Sequence, residues 1–265
     1  MKALLKAVLP PVVRHRLRRI EQLAKLPLSL GSGRTCPCCG LTIRRFLPFY
    51  GRREVRCPYC NSLPRQRFQA KLLGRGALGE VAGRSVLHFA PEFSLDRLLR
   101  RSGPAAYLKA DFMVSFIPGI CVRPDAILDI RATQLPPETF DLIVCNHVLE
   151  HVEEDGRAMQ ELHRLLRSHG KALITVPIAA GTARTRDWRS LAVDTPGERA
   201  RQFGAEDHVR CYGMDIVERF QAAGFTTDVL HPGDVFSAAE IEIWGLAPEE
   251  PHFILSKAAH AVRSW

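Results

Sequence analysis

Val86–Leu99, VLHFAPEFSLDRLL, decides the fold. Val86 to Phe89 is an apolar run of strand length, and from Phe93 onward Leu95, Leu98 and Leu99 recur at helical spacing. Between them stands only Ala90-Pro91-Glu92. Strand, tight turn and amphipathic helix form the opening unit of an open α/β sheet, and a nucleotide-type cofactor is usually held at that turn. The glycines customary there are missing, so the turn must find its room and its backbone geometry in other residues.

Working outward, the alternation continues. Apolar runs recur at AYLKA, AILDI, FDLIVCN, KALITVP, FTTDVL and HFILSKA, with helical periodicity at Met159-Leu162-Leu165-Leu166 and Ile216-Phe220-Ala223. The pattern predicts a mainly parallel sheet of seven strands covered by helices. Gly170 and Gly224 are expected to stop the last two of these helices. Asp111, Asp129 and Asp141 fall at or beside strand ends. Asp111 stands about one βα unit beyond the first strand, where an acid accepts hydrogen bonds from ribose hydroxyls.

Upstream, Cys36 and Cys39 form one C-x-x-C and Cys57 and Cys60 another, each followed by a small turn residue, Gly40 or Asn61. Two such knuckles around a short hairpin place four thiolates about one Zn²⁺, the pattern of a zinc ribbon. All four ligands being cysteine leaves no open position, so the expected role is structural, and loss of the metal is expected to unfold so small a module. Cys38 is read as a bystander. The expected organisation is a basic helix and linker over 1–30, the ribbon over 31–65 and an α/β domain over 66–265.

The charge is divided unevenly. Of the net +9, residues 1–75 hold about +15 and the remainder about −6. A basic front on an ordinary body fits contact with nucleic acid, anionic lipid or an acidic polymer. In VVRHRLRRIEQLAKL, Val13, Leu17, Ile20 and Ala24 share one helical face, expected to pack on the protein itself, with a membrane surface as the alternative. The apolar run Met1 to Leu9 is short and ends at Pro10-Pro11. Together with unpaired cysteines and no membrane-spanning run, it predicts a soluble protein of the reducing cytoplasm.

Taken together, LDIRATQLPPETFDLIVCNHVLEHVEEDGRAMQELHRLLRSHGKALITVP resembles the small-molecule branch of the class I S-adenosylmethionine-dependent methyltransferases. With LHFAPE and FGAEDHVRCYGMD, the whole chain resembles an uncharacterised bacterial group joining a cysteine-rich ribbon to such a domain. The resemblance implies a Rossmann-like methyltransferase sheet and S-adenosylmethionine as cofactor. It implies that Asp111 holds the ribose, that Asp129 and Ile130 flank the adenine, and that Asn146 and His147 line the pocket near the methyl group. Phe89, Ala90 and Glu92 then replace the glycine-rich turn. The cofactor has no phosphates and needs no anion cradle. Glu92 either pairs with its ammonium group or caps the following helix.

His147, directly after the fourth strand, is the first candidate base. Asp207-His208 is a second, the carboxylate orienting the imidazole, with a solvated loop as the alternative. His151 is either structural or part of the site. The arginine-rich stretch Ile178–Gln202 is a candidate lid, with Arg184, Arg186 and Arg189 as candidate grips for an anionic acceptor. The expected acceptor is a small molecule or a glycan sugar. The alternatives are RNA held through the basic module, and a non-catalytic binding protein on a degenerate fold.

Overall fold

The computed structural model describes residues 10–257 except 114–116, 118 and 180. The reading of Met1 to Leu9 falls outside them.

A basic helix, α1 (Pro11–Ala24), leads into a small module built from β1 (Leu30–Thr35), β2 (Thr42–Ile43), β3 (Leu47–Phe49) and β4 (Arg52–Arg56). The pairs β1–β2 and β3–β4 are antiparallel. Tyr50 and Gly51, both at positive φ, turn the second hairpin. Helix α2 (Pro64–Gly74) then leaves the module, with proline in its first turn.

The body is a single sheet. Its strands are β5 (Ser85–Phe89), β6 (Ala106–Asp111), β7 (Ala126–Ile127), β8 (Phe140–Asn146), β9 (Leu166–Thr175), β12 (Thr226–Leu230) and β13 (His252–Ser256). A two-stranded pair, β10 (Arg186–Asp187) and β11 (Arg210–Cys211), stands apart. The spatial order is β12-β13-β9-β8-β5-β6-β7; β13 runs antiparallel to both neighbours and the other pairs are parallel. All seven apolar runs read from the sequence are strands of this one sheet.

Alternate side chains fill two cores. Leu87, Phe89, Ile143, Cys145 and Ile174 meet α4 (Asp155–Leu165) and α5 (Ile216–Ala222) on one face. Val86, Leu142, Val144, Leu173 and Ile254 meet α2 and α3 (Phe93–Arg101) on the other. Both faces being covered explains why these strands read as near-continuous apolar runs.

Two expectations are corrected. Gly170 does not end α4: that helix stops at Leu165, the chain turns extended at Leu166, and Gly170 lies within β9 beside an irregularity in the pairing with β8. A Cβ there would crowd Leu166 and the Phe140 carbonyl, which accounts for the glycine. Gly224, at φ 98°, follows α5 as expected. The apolar stripe of α1 does not pack inward, since Val13, Leu17 and Ile20 are exposed, Ile20 at 63%. The helix docks instead by its polar side: Gln22 donates to the Pro58 carbonyl at 2.6 Å and to Asn61 Oδ1 at 2.8 Å, and Arg19 donates to the Tyr59 carbonyl.

His88, in β5, is fully buried; its Nδ1 lies 2.9 Å from the Tyr107 hydroxyl and its Nε2 has no partner among the described residues. Burial pushes its pKa down to about 4. An unfolded imidazole takes up its proton near pH ~6.5, so between about 6.5 and 4 the unfolded chain binds more protons than the folded one. Stability is therefore expected to fall as pH drops through that window, with buried His252 adding to the slope. Urea unfolding at pH 7, 5.5 and 4.5 measures it, and His88→Asn is expected to flatten it. An unchanged slope would remove His88 as its source.

Candidate functional site

A cavity of about 830 Å³ opens at the carboxyl ends of β5, β6 and β8, the place where open α/β sheets bind ligands. Its walls include Phe89, Ala90, Asp111, Asp129, Ile130 and His147. Phe112, Met113, Ile117 and Ile120 form an apolar side, and His151 and Asp207 stand at another wall.

The turn after β5 explains how glycine is dispensed with. Ala90 takes the left-handed conformation, φ 46°, and its N–H is bound to the Ala110 carbonyl at 2.8 Å. A methyl group is the smallest side chain that pays this strain, at a cost of ~1–2 kcal/mol. The turn is braced from behind. Glu92 accepts from Arg65 at 2.7 Å, from Asn146 Nδ2 at 2.9 Å and from Gln66 Nε2. Burial alone would push its pKa up, but Arg65, His88 and Asn146 outweigh that and hold it below the ordinary value. Glu92 stands at the N-cap position of α3, yet its side chain makes no capping bond. The carboxylate is thus engaged inside the protein and is absent from the cavity wall.

Asn146 belongs to the same network. Its amide exchanges two hydrogen bonds with Gln69 at 2.7 and 2.9 Å, and its oxygen accepts from Thr175 at 2.8 Å. It too is absent from the cavity lining. The helix supplying Arg65, Gln66 and Gln69 is α2, which no sequence pattern tied to this turn.

Asp111 ends β6 facing the cavity. It accepts the Phe112 backbone N–H at 2.8 Å and has no ion-pair partner among the described residues. Burial raises its pKa against the pull of the Phe112 and Met113 amides. Asp129 differs: Arg131 holds it through contacts of 2.7–3.1 Å, and that bonding lowers its pKa.

His147 sits at φ 51° with its N–H on the Thr175 carbonyl at 2.8 Å, and its Nδ1 is 3.2 Å from Glu150 Oε1. The pairing expected between Asp207 and His208 is not formed. Asp207 lies 3.3 Å from His151 Nδ1, while His208 Nδ1 lies 2.9 Å from the Phe203 carbonyl and its ring meets the His151 ring edge to face. Asp207 and His208 both meet His151 rather than each other. The lid arginines are engaged: Arg189 pairs with Glu153 and Arg184 with Glu218, and Arg186 donates to the Gln202 carbonyl. Arg210 and Tyr212 are buried clamps. Arg210 donates to the Leu149, Val152 and Glu153 carbonyls and to Asp187, and Tyr212 donates to Asp155.

In the N-terminal module Cys36, Cys39, Cys57 and Cys60 converge, their sulfurs within 4.8 Å of one another. Cys36 and Cys60 lie 3.6 Å apart, Cys39 and Cys57 3.9 Å. Four sulfurs at ~2.3 Å from a tetrahedral ion stand at such separations, so the donor set fits Zn²⁺. Gly40 and Asn61, at φ 76° and 59°, close the two knuckles. Ser62 Oγ reaches both Cys36 and Cys60. Cys38 is buried and turned away, its sulfur 3.3 Å from the Gln66 carbonyl.

Residues 120–174 match the family model described as a methyltransferase domain. The solved structures similar to this chain include an S-adenosylmethionine-dependent methyltransferase from Mesorhizobium loti (19% identity, 68% of this chain and 93% of that one, TM-score 0.46). Another is from Archaeoglobus fulgidus (14% identity, 73% and 94%, TM-score 0.48). A third is Haemonchus contortus phosphoethanolamine N-methyltransferase 2 in complex with S-adenosyl-L-methionine (13% identity, 72% and 53%, TM-score 0.46). No curated protein matches the sequence. The seven-stranded sheet with its one antiparallel member is a Rossmann-like α/β sheet.

Proposed function

We propose that this protein transfers a methyl group from S-adenosylmethionine to a small-molecule or glycan acceptor, and that its tetra-cysteine module holds a structural Zn²⁺. The observation that carries the reading is Asp111, a half-buried carboxylate without an ion-pair partner among the described residues, facing a cavity at the carboxyl end of its strand.

The residues fit the cofactor by chemistry and room. Ala90 keeps the turn narrow, Asp111 accepts from ribose hydroxyls, and Ile130 with Leu128 offers an apolar wall to a purine. Phe89 closes the floor. Glu92 and Asn146 act from behind, by fixing the turn. When bound, the cofactor supplies a methyl group on a positively charged sulfur, open to in-line attack. The chain's part is then alignment and exclusion of water, through the apolar side made by Phe112, Met113, Ile117 and Ile120. His147, its Nδ1 3.2 Å from Glu150 Oε1, is placed to take a proton from a hydroxyl acceptor, and His151 with Asp207 stands at the same cavity.

Calorimetric titration with S-adenosylmethionine and S-adenosylhomocysteine tests the reading. Saturable one-to-one binding of either at micromolar concentration is expected. A folded, zinc-loaded protein that binds neither would make the fold a scaffold and move attention to the basic front.

A further inference from the structure

Glu150 is fully buried, and neither of its carboxylate oxygens has a hydrogen-bond donor among the described residues. The imidazole Nδ1 of His147 lies 3.2 Å from Oε1 but outside hydrogen-bonding geometry. A buried carboxylate is ordinarily saturated with donors, because its desolvation is otherwise uncompensated. The donors missing here point to something else occupying that role.

Two imidazoles converge on the same spot. One ligand atom each from Glu150, His151 and His208 lies within 4.8 Å of the other two. Both rings are already oriented by oxygen partners on one nitrogen. His208 Nδ1 lies 2.9 Å from the Phe203 carbonyl, and His151 Nδ1 lies 3.3 Å from the Asp207 carbonyl and 3.3 Å from Asp207 Oδ2. A protonated Nδ1 donating to oxygen leaves Nε2 with a bare lone pair, the arrangement of metal-bound histidines. A carboxylate behind one imidazole and a backbone carbonyl behind the other are the usual outer partners of such ligands.

We propose that Glu150, His151 and His208 form a second metal site, for a divalent first-row transition cation, at the wall of the cavity. Two imidazoles and one carboxylate suit Zn²⁺, Fe²⁺, Co²⁺ or Ni²⁺ better than Mg²⁺ or Ca²⁺, which prefer all-oxygen shells. Three protein ligands leave coordination positions over, as in sites that bind an outside oxygen. His151 also lines the cavity, so those positions are at hand for an oxygen-bearing acceptor. The site stands without the methyl-transfer reading, because it is scored by metal binding alone.

The test is equilibrium titration of zinc-loaded full-length protein with Co²⁺, followed by visible absorption and by metal analysis after desalting. Cobalt at the cysteine site announces itself by thiolate charge-transfer bands; a nitrogen and oxygen site has none. One equivalent of cobalt without those bands is expected, with one zinc retained. Glu150→Gln and His208→Ala are expected to abolish it. Asp207→Asn, which removes the carboxylate beside His151 but keeps the backbone carbonyl on its Nδ1, is expected to weaken it no more than ~10-fold. His231→Ala, on the far side of the sheet order, is the control and leaves it unchanged. His208 is not fully buried, so its variant stays informative if Glu150→Gln misfolds. Binding confined to the thiolate site would overturn the proposal, and so would a second equivalent that survives His208→Ala.

Discussion

Arg67→Met is expected to destabilise the protein by ~3–5 kcal/mol, the upper range for a single substitution. Arg67 has no exposed surface, yet no carboxylate faces it within ion-pair distance among the described residues. Its guanidinium donates instead to four backbone carbonyls. Val55 and Ser62, at 2.9 and 2.6 Å, belong to the cysteine module. Trp244, at 2.7 Å, and Gly245 close the helix Ala238–Trp244, whose last carbonyls carry partial negative charge. The plane of the group lies 3.8 Å from the Phe46 ring centre. Methionine refills the stem but leaves all four acceptors without this donor, and a buried acceptor left so costs ~1–3 kcal/mol. Arg67→Lys is expected to recover only part of the loss, since an ammonium cannot span the four carbonyls. Urea unfolding at neutral pH measures both. A loss below ~1 kcal/mol for methionine would mean that water replaces the guanidinium and that the two parts are not joined here.

Asp111→Ala is expected to weaken S-adenosylmethionine binding by ~1.5–3 kcal/mol, about 10- to 150-fold, the range for hydrogen bonds to a charged group. Its effect on unfolding is expected to be small, because the carboxylate accepts only local backbone N–H groups. That contrast makes the experiment decisive. A variant with unchanged thermal unfolding and weakened affinity assigns the residue to the ligand; unchanged affinity removes it from the ribose role. Glu92→Gln should behave in the opposite sense, losing stability first, because its partners are Arg65, Gln66 and Asn146.

The strands were legible because each is a short apolar run bounded by turn residues. The knuckles were legible because C-x-x-C spacing has few other uses. What escaped reading was every partnership between distant segments. Gln69 and Asn146 lie 77 residues apart and exchange two hydrogen bonds that no periodicity announces. Glu92 is read from the sequence as a partner for the cofactor's ammonium group or a cap for α3, while the helix that occupies it lies in a different part of the chain. Arg67 looked like one more basic residue of a positively charged front. The stripe of α1 looked like core because apolar residues at helical spacing usually are, and only the positions of Arg19 and Gln22 show which side docks. His151 and His208 became neighbours through a loop tied down by buried Arg210, whose partners are the Leu149 and Glu153 carbonyls about 60 residues earlier.

Helix α2 begins directly after the second knuckle and within two turns supplies Arg65, Gln66 and Gln69 to the braced turn. Ser62, at its threshold, touches two of the four sulfurs. One rigid element therefore ends in both places. A constraint applied at either end narrows the freedom of the other, and in equilibrium terms the two occupancies share one coupling free energy. Whatever factor filling the cavity applies to the grip of the thiolates, filling the thiolates applies the same factor to the cavity.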